Sequence, residues 1–516
     1  MPRQAERYAY RTAPGLSRPE PRHKVVIVGA GPIGLALALD LARRGQKVTL
    51  LDDNDVVSTG SRAICWSKRS LEILDRLGVG ERCLARGVTW NTGRTFHRDR
   101  EVFAFDLMPE AGHKMPAFVN LQQYHVERFL VEAALAEPLI DLRFRNRVDV
   151  LAREDDHVRI GIETPEGDYM LEAGWLVACD GARSPSRRML GLDFAGEFFE
   201  EKFLIADIEM TGDFPSERRF WFEPPFHPGQ SALLHRQPDD IYRIDLQLGP
   251  DADPEAEKRP ERVIERIEKL VGHTDFRLDW VSVYSFQCRR LARFVHGPVI
   301  FAGDSAHVVS PFGARGGNGG LEDVAALGWR LAAVLDGRAG PGILAAYDRE
   351  RGFGADENIL HSSRAPRFMT PAPGAERLYR DQVLNLAAHA EFARPMVNSG
   401  RLSKPCVYPL EAPDAAGLPE ISRPGAVAPD APFGKGWLTE ALAGEVTLLA
   451  IGAAPPKVSL KALRLPANRH VADRYLGRAK SAFYLIRPDG VIAARWRKAG
   501  GRRIEAAAKA LWEGSP

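Results

Sequence analysis

The sequence predicts an α/β fold in which a nucleotide-binding domain is interleaved with a β-sheet domain and followed by a small α/β C-terminal domain. Three observations predict it. The β-branched run Lys24–Val28 leads through Gly29-Ala30-Gly31-Pro32-Ile33-Gly34 into an apolar-periodic helix, Ile33 to Arg43, and a second run, Val48–Leu51. Two later apolar runs end in an acid beside a glycine: Trp175-Leu176-Val177-Ala178-Cys179-Asp180-Gly181 and Val299-Ile300-Phe301-Ala302-Gly303-Asp304. Beyond Pro424 a fresh alternation of strands and helices begins. The 516 residues leave room for about three domains at roughly 100–200 residues each.

Composition excludes several classes. Hydrophobic residues are 45% and charged residues 27%, the balance of a globular chain. Seventy Lys and Arg against sixty-eight Asp and Glu leave +2, so no global field points to nucleic acid or an anionic membrane. Gly34–Leu39 is followed at once by Asp40, and no run approaches the ~18 apolar residues of a membrane span. Residues 1–22, with Pro14, Pro19 and Pro21, lack the apolar centre of a secretory signal and read as an extended arm. Cys65, Cys83, Cys179, Cys288 and Cys406 form no CxxC pair. A dithiol centre and a zinc ribbon are therefore not expected, no metal site is expected, and a cytoplasmic location is.

The remaining elements follow from periodicity. Leu71–Leu77 and Val126–Leu135 have helical spacing, residues 143–179 alternate as hairpins with a turn at Pro165–Gly167, and 194–248 read as strands. From Pro298 a strand leads through a Gly-rich loop into a helix ending near Leu335. The boundaries expected are 1–22 for the arm and 23–365 for the nucleotide domain, the latter in pieces near 23–100, 120–190 and 285–365. A substrate-binding sheet at about 100–120 and 190–285 interrupts it; a Pro- and Ala-rich connector with a helix near 376–393 spans 366–422; the tail is 423–516. In the tail we expect a strand at Glu445–Ile451, a helix near 458–463, a hairpin Ser481–Trp496 turning at Pro488-Asp489-Gly490, and a helix from about Arg503 to Leu511.

The first motif carries its own physical logic. Gly29 permits the tight turn, Gly31 lets backbone N–H groups approach a pyrophosphate, and Gly34 lets helix and strand pack closely. Pro32 and Ile33 open the helix, whose N-terminus favours negative charge. Asp52, 18 residues after Gly34 and beside Asp53, ends the second strand where ribose hydroxyls would lie. This is a Rossmann-like site. The motif alone does not separate NAD from FAD.

With the Asp-Gly and Gly-Asp segments in the same order, the chain resembles the single-component flavoprotein aromatic hydroxylases of the para-hydroxybenzoate and phenol hydroxylase type, over about 24–365. The resemblance implies bound FAD, with its ADP portion on the first motif and Asp180 between the flavin and nicotinamide routes. It places Asp304 on a ribityl hydroxyl and the loop of Pro311, Gly316, Gly317 and Asn318, opening the next helix, at the isoalloxazine. Arg62, Arg69 and Gln123 match flavin and cofactor contacts, Arg187 follows the Asp-Gly as expected, and Tyr347 with Glu350-Arg351 matches the closing helix. Two positions depart from the family: Arg315 stands where glutamine is frequent, and Ile64 where phenol hydroxylases carry an acid.

The implied reaction is hydroxylation of a phenolic or polycyclic aromatic substrate with O₂ and NADH or NADPH, through a C4a-hydroperoxyflavin. With one GxGxxG only, the nicotinamide is expected to bind transiently. A proton acceptor for the phenol is required, and the sequence offers His235, Tyr242, Tyr284 and Gln287, with His235 and Tyr284 as the catalytic candidates. Trp221 and Phe222 are either pocket wall or core, and His307 reads as structural. The alternatives are a flavin-dependent reductase or halogenase, the latter disfavoured by the lack of a WxWxIP motif, or a flavin-containing binding protein. The tail, with Arg423-Pro424-Gly425 and Tyr484–Gly490, resembles the thioredoxin-like extension of the phenol hydroxylase branch; without CxxC it is assigned packing or dimer contacts, and a homodimer is implied by resemblance alone.

Overall fold

The structure is a computed structural model that describes residues 6–58, 63–108, 110–211, 214–249, 251–311, 313–397, 402–442 and 444–513. Its first sheet runs Val295–His296, Val299–Phe301, Gly167–Ala178, His23–Val28, Val48–Leu51, Ile140–Arg143, with Val158–Thr164 and Arg147–Arg153 fanning off the long strand Gly167–Ala178. The four central pairings are parallel, so both faces are covered and the strands read as unbroken apolar runs. The helices Pro32–Arg43, Gln123–Ala136 and Gly316–Leu335 supply Leu35, Leu39, Val126, Leu130, Leu321 and Leu327 to that core. The arm lies on this body: Tyr8 stacks on Phe144 at 5.0 Å, Ala13 is buried and Arg7 bridges to Val56.

The second sheet runs His307–Val308, Arg277–Arg290, Ala195–Glu209, Ile241–Leu248, Ser231–Arg236, Arg218–Phe222, Thr92–His97, Arg100–Asp106. It takes in Thr92–His97, which the sequence reading left in the nucleotide domain, because Phe220, Trp221 and Phe222 pair in parallel with Thr95, Phe96 and His97. One face packs Leu204, Leu234, Tyr242, Ile244 and Leu246 against Val263 and Ile267 of the amphipathic helix Pro260–Val271. The opposite face carries Phe203, Phe220, Phe222, Leu233 and Phe286, partly covered by Phe368, Met369 and Leu384 of the connector.

The C-terminal sheet has the order Lys461–Leu465, Thr447–Ile451, Ala482–Ile486, Ile492–Trp496, with the first pair parallel and the others antiparallel, a thioredoxin-like arrangement. The helix expected near 458–463 is not formed. Lys461–Leu465 is instead a strand, since Ala462 and Leu463 register against Leu448 and Leu449. Short apolar runs of this kind fit either period, and tertiary pairing decides. The tail is latched to the first domain by a buried ion network. Arg487 forks onto Glu350 at 2.7 and 2.9 Å, and Arg330 reaches the same carboxylate at 2.8 Å. Asp489, at the hairpin turn, holds Arg487 from the other side and accepts from Trp329 Nε1.

Candidate functional site

The three motifs converge at the carboxyl ends of the parallel strands, where ligands bind open α/β sheets. Gly29 has φ +102, and a Cβ there would stand 2.5 Å from the Cys179 carbonyl oxygen, so the first turn lies directly on the Asp-Gly segment. Ile33 packs into the third motif, where Cβ atoms on Gly303 and Gly320 would meet it at 3.0 and 2.6 Å. Arg187 joins the second segment to the third, donating to the carbonyls of Ala182 at 2.7 Å and Ser305 at 2.8 Å.

Around the first helix the geometry is that of an anion seat. The Gly31 cap makes no side-chain hydrogen bond among the described residues, which leaves first-turn N–H groups for a ligand. A Cβ on Gly31 would meet nothing within 4 Å, whereas one on Gly34 would fall 1.9 Å from the Gly29 oxygen. Gly34 therefore serves packing and Gly31 faces open space. Pro32 sits at the first helical position. Asp52 accepts from Ala30 N and, at 2.8 Å, from Asn54 N, and burial pushes its carboxyl up to about 6. Asp53 beside it is exposed and bonds Asn54 Nδ2 at 2.7 Å.

Other predicted residues hold the frame. Gln123 donates to Glu127 at 2.7 Å and accepts from Ala63 N at 3.1 Å, while Glu127 accepts from Ser58 N at 2.6 Å. The pair thereby grips both ends of the segment that contains Arg62, which lies outside the described residues. Asp180 caps its own loop, accepting from Ser184 Oγ at 2.6 Å and Ser186 N at 2.8 Å. Asn318 accepts from Ser67 N at 3.0 Å and Ser70 Oγ at 2.6 Å and donates to the carbonyls of Cys65 and Ala314. It is a buried staple between the helix Gly316–Leu335 and the strand Cys65–Ser67.

Gly303, at φ +66, donates to Asp323 Oδ2 at 2.8 Å, and Asp304 after it is exposed. Asp323 also holds His307 at 2.7 Å and Arg351 at 2.6 Å; although burial opposes it, those two partners keep its carboxyl at about 2. His307 is thus a structural partner. Pro311 is exposed, and the helix Gly316–Leu335 starts with Gly316 and Gly317, again with no side-chain cap among the described residues. Two helices therefore bring uncapped, glycine-bearing N-termini to the crevice beyond the carboxyl ends of the strands, a donor set that fits the phosphate and flavin ends of FAD. Arg315 and Arg69 do not point into it: Arg315 is buried on Asn358 and the Leu402 carbonyl, and Arg69 donates to the Asp489 carbonyl of the tail.

On the large sheet, His235 is buried with Nδ1 4.0 Å from Cys65 Sγ, its ring 6.0 Å from that of Trp90. Burial, with Arg218 and Arg243 adding to it, drives its pKa well below the ordinary histidine value. Tyr284 lies on the same face, opposite Phe203 and tilted against Trp280 at 6.3 Å. Tyr242 is on the other face, under the helix Pro260–Val271, and Trp221 stacks on Phe96 at 5.2 Å, so both are core. The sequence reading missed Arg218, Arg243 and Asp245, charged residues within this same sheet; the period-2 run Tyr242–Leu248 contained the signal.

Comparison with known proteins agrees with this geometry. Residues 22–359 match the family described as FAD binding domain. A 3-(3-hydroxy-phenyl)propionate/3-hydroxycinnamic acid hydroxylase of Mycolicibacterium gilvum is 30% identical over 366 residues, 70% of this chain but 63% of that protein. This chain thus spans less than two thirds of that relative. A 12-dehydrotetracycline 5-monooxygenase/anhydrotetracycline 6-monooxygenase of Streptomyces rimosus is 29% identical over 96% of this chain and 99% of that protein. A flavin-dependent monooxygenase solved with FAD and substrate superposes with a TM-score of 0.78 at 21% identity, covering 96% of this chain and 99% of its own. The glycine-lined crevice and the match over most of the chain lead to one conclusion: this protein belongs to the FAD binding domain family.

Proposed function

We propose that the protein is an FAD-dependent monooxygenase that hydroxylates a phenolic or polycyclic aromatic compound, using O₂ and NADH or NADPH. The observation that carries this reading is the near end-to-end match to a tetracycline-pathway monooxygenase, tail included. When bound, FAD supplies the passage of electrons from nicotinamide to O₂ and the activation of oxygen for transfer.

The chain's own residues bind, orient and exclude water. Asp52, and less directly Asp53, take the ribose hydroxyls; the backbone at Gly29, Gly31, Pro32, Ile33 and Gly34 takes the pyrophosphate. Asp304, exposed at the end of its strand, takes a hydroxyl of the ribityl chain. N–H groups of Gly316 and Gly317 favour negative charge at the pyrimidine end. Asp180, Gln123, Gly303, Pro311 and Asn318 shape and hold the loops, and Arg62 remains a flavin contact by resemblance. His235 and Tyr284 lie on the face of the large sheet that Phe368 and Met369 partly cover. Among the described residues no helix is long and apolar enough to cross a membrane.

The test is direct. Purified holoprotein is yellow, and with a panel of phenols and isotopically labelled O₂ one member yields product carrying the label while accelerating NAD(P)H oxidation. A flavin that NAD(P)H reduces, but from which no phenol ever receives oxygen, refutes the reading.

A further inference from the structure

The sheet face near the start of the helix Gly316–Leu335 carries charge that packing alone does not explain. Antiparallel register sets His235 opposite Arg243 and Arg243 opposite Asp207, with Arg218 on the next strand. Two residues along, on the same side of the pleat, Asp245 stands opposite Leu233 and Ile205. Cys65 ties this patch to the crevice: its Sγ meets His235, and its carbonyl accepts from Asn318 in the first turn of that helix. Trp90, stacked on Phe118 at 5.2 Å, forms a flat wall beside His235.

Within the patch the carboxylates differ. Asp207 is committed to Arg243, whose Nε reaches it at 2.9 Å. Asp245 Oδ1 is buried with no hydrogen-bond partner among the described residues. A buried carboxylate oxygen that accepts nothing is costly, and such exceptions mark functional positions.

We propose that Asp245 is the proton acceptor of the substrate site, its unpartnered Oδ1 taking the proton of a phenolic hydroxyl while Arg218 and Arg243 stabilise the resulting phenolate. This rests on the monooxygenase reading above. The substrate O–H bond breaks, the Oδ1–H bond forms, the electron pair stays on the ring oxygen, and net charge in the site is unchanged. The proton leaves to water when product departs, restoring the carboxylate.

The neighbours agree with the assignment. Asp245 is faced by Arg243 on its own strand, Asp207 and His235 on the two flanking strands, Arg218 one strand further out, and Cys65 from the strand Cys65–Ser67. Burial pushes its carboxyl up to about 6, against Arg243 and with Asp207. That makes it roughly a hundredfold stronger base than an ordinary aspartate while leaving it ionised at neutral pH. Burial also drives the Cys65 thiol up to about 12, so it stays neutral. Burial, with Arg218 and Arg243 adding to it, leaves His235 holding a proton too poorly to serve.

The experiment compares wild-type, Asp245→Asn and His235→Gln holoproteins on an un-ionised phenol and on its nitro analogue, which is ionised at the assay pH. Wild type has an acidic limb in kcat/KM near pH 6. Asp245→Asn loses that limb and about a hundredfold in kcat with the un-ionised phenol, yet changes less than about threefold with the ionised one. His235→Gln keeps the limb. Anaerobic flavin reduction by NAD(P)H and the flavin spectrum are unchanged in both, which excludes misfolding. An acidic limb that survives in Asp245→Asn, or equal losses on both phenols, overturns the proposal. A second arm needs no turnover: the phenolate absorbance of 4-nitrophenol bound to oxidised holoprotein. In wild type its midpoint is displaced from that in Asp245→Asn, because dye and Asp245 exchange a proton within the site, and in Asp245→Asn the dye titrates alone. Identical titration in the two proteins overturns the proposal, and wild type that oxygenates no phenol while the dye arm holds refutes the monooxygenase reading alone.

Discussion

The sharpest prediction concerns Gly31. Its φ of −73° suits any L-residue, and a Cβ there touches nothing within 4 Å. Gly31→Ala therefore leaves the cofactor-free fold intact: loss of the glycine cap costs a few tenths of a kcal/mol to about 1, and reduced chain entropy in the unfolded state returns a similar amount. The open space is where a pyrophosphate would approach the backbone. A methyl group there holds the phosphates off first-turn N–H groups that make charge-assisted hydrogen bonds, each worth about 1.5–3 kcal/mol. Weakening two of them by half or more costs about 2–4 kcal/mol, a loss of some 30- to 1,000-fold in FAD affinity. The assay is calorimetric or fluorescence titration of FAD into apoprotein, beside thermal unfolding of the same apoprotein. Gly34→Ala gives the opposite pattern, since its Cβ collides with the Gly29 oxygen at 1.9 Å and disturbs the turn itself. If Gly31→Ala binds FAD as wild type does, the phosphates do not lie over that backbone, and the reasoning fails.

Two further outcomes follow from buried charge. Glu350→Gln leaves Arg330 and Arg487, each 2% exposed, with Asp489 as their remaining acid; we expect a loss of about 3 kcal/mol and a thermal midpoint lowered by roughly 5 °C, and a shift under 1 °C would refute it. Asp52, raised to about 6, is stabilising while protonated, and that contribution is lost as pH rises from its unfolded value near 4 through 6. In urea unfolding of apoprotein, wild type should therefore lose about 2–3 kcal/mol between pH 4 and 7 relative to Asp52→Asn; equal pH dependence in both proteins would contradict the burial of that carboxylate.

Much of the glycine-turn geometry was legible because its requirements are local. A turn at positive φ, an uncapped helix start and an acid at a strand end are written in adjacent residues, so Gly29, Gly31, Gly34 and Asp52 could be placed from spacing. The third motif was legible in position but not in role: Asn318 binds Ser67, Ser70, Cys65 and Ala314, partners that only the folded chain brings together. Arg69 was misread for the same reason, since its partner is 420 residues away. The charged patch on the large sheet stayed hidden because alternation in Tyr242–Leu248 normally means one face in water. Here both faces are covered, one by the helix Pro260–Val271 and the other by the connector and the first domain, so Arg243 and Gln247 are buried and Asp245 is half-buried. Pattern reports the period and not what lies opposite.

The tail can now be given a physical role without redox chemistry. From Gly303 a chain of buried groups runs through Asp323 to Arg351, whose other nitrogens meet the Gly319 carbonyl at 3.1 Å and Tyr408 Oη at 3.0 Å. Tyr408 pairs through its backbone N–H with Gly425 O at 3.1 Å, and Gly425 donates to Ile492 O at 2.8 Å in the C-terminal hairpin. The same hairpin anchors Glu350, one residue from Arg351, through Arg487. The acids and cations along this path are paired, and a satisfied buried network is rigid where a half-satisfied one is costly. The helix whose first turn faces the crevice is therefore held from behind by the tail. A site that must keep N–H groups aimed at a developing negative charge gains from a backbone that does not reorganise. The C-terminal domain, which holds no CxxC pair, supplies that support through its hairpin turn and its packing.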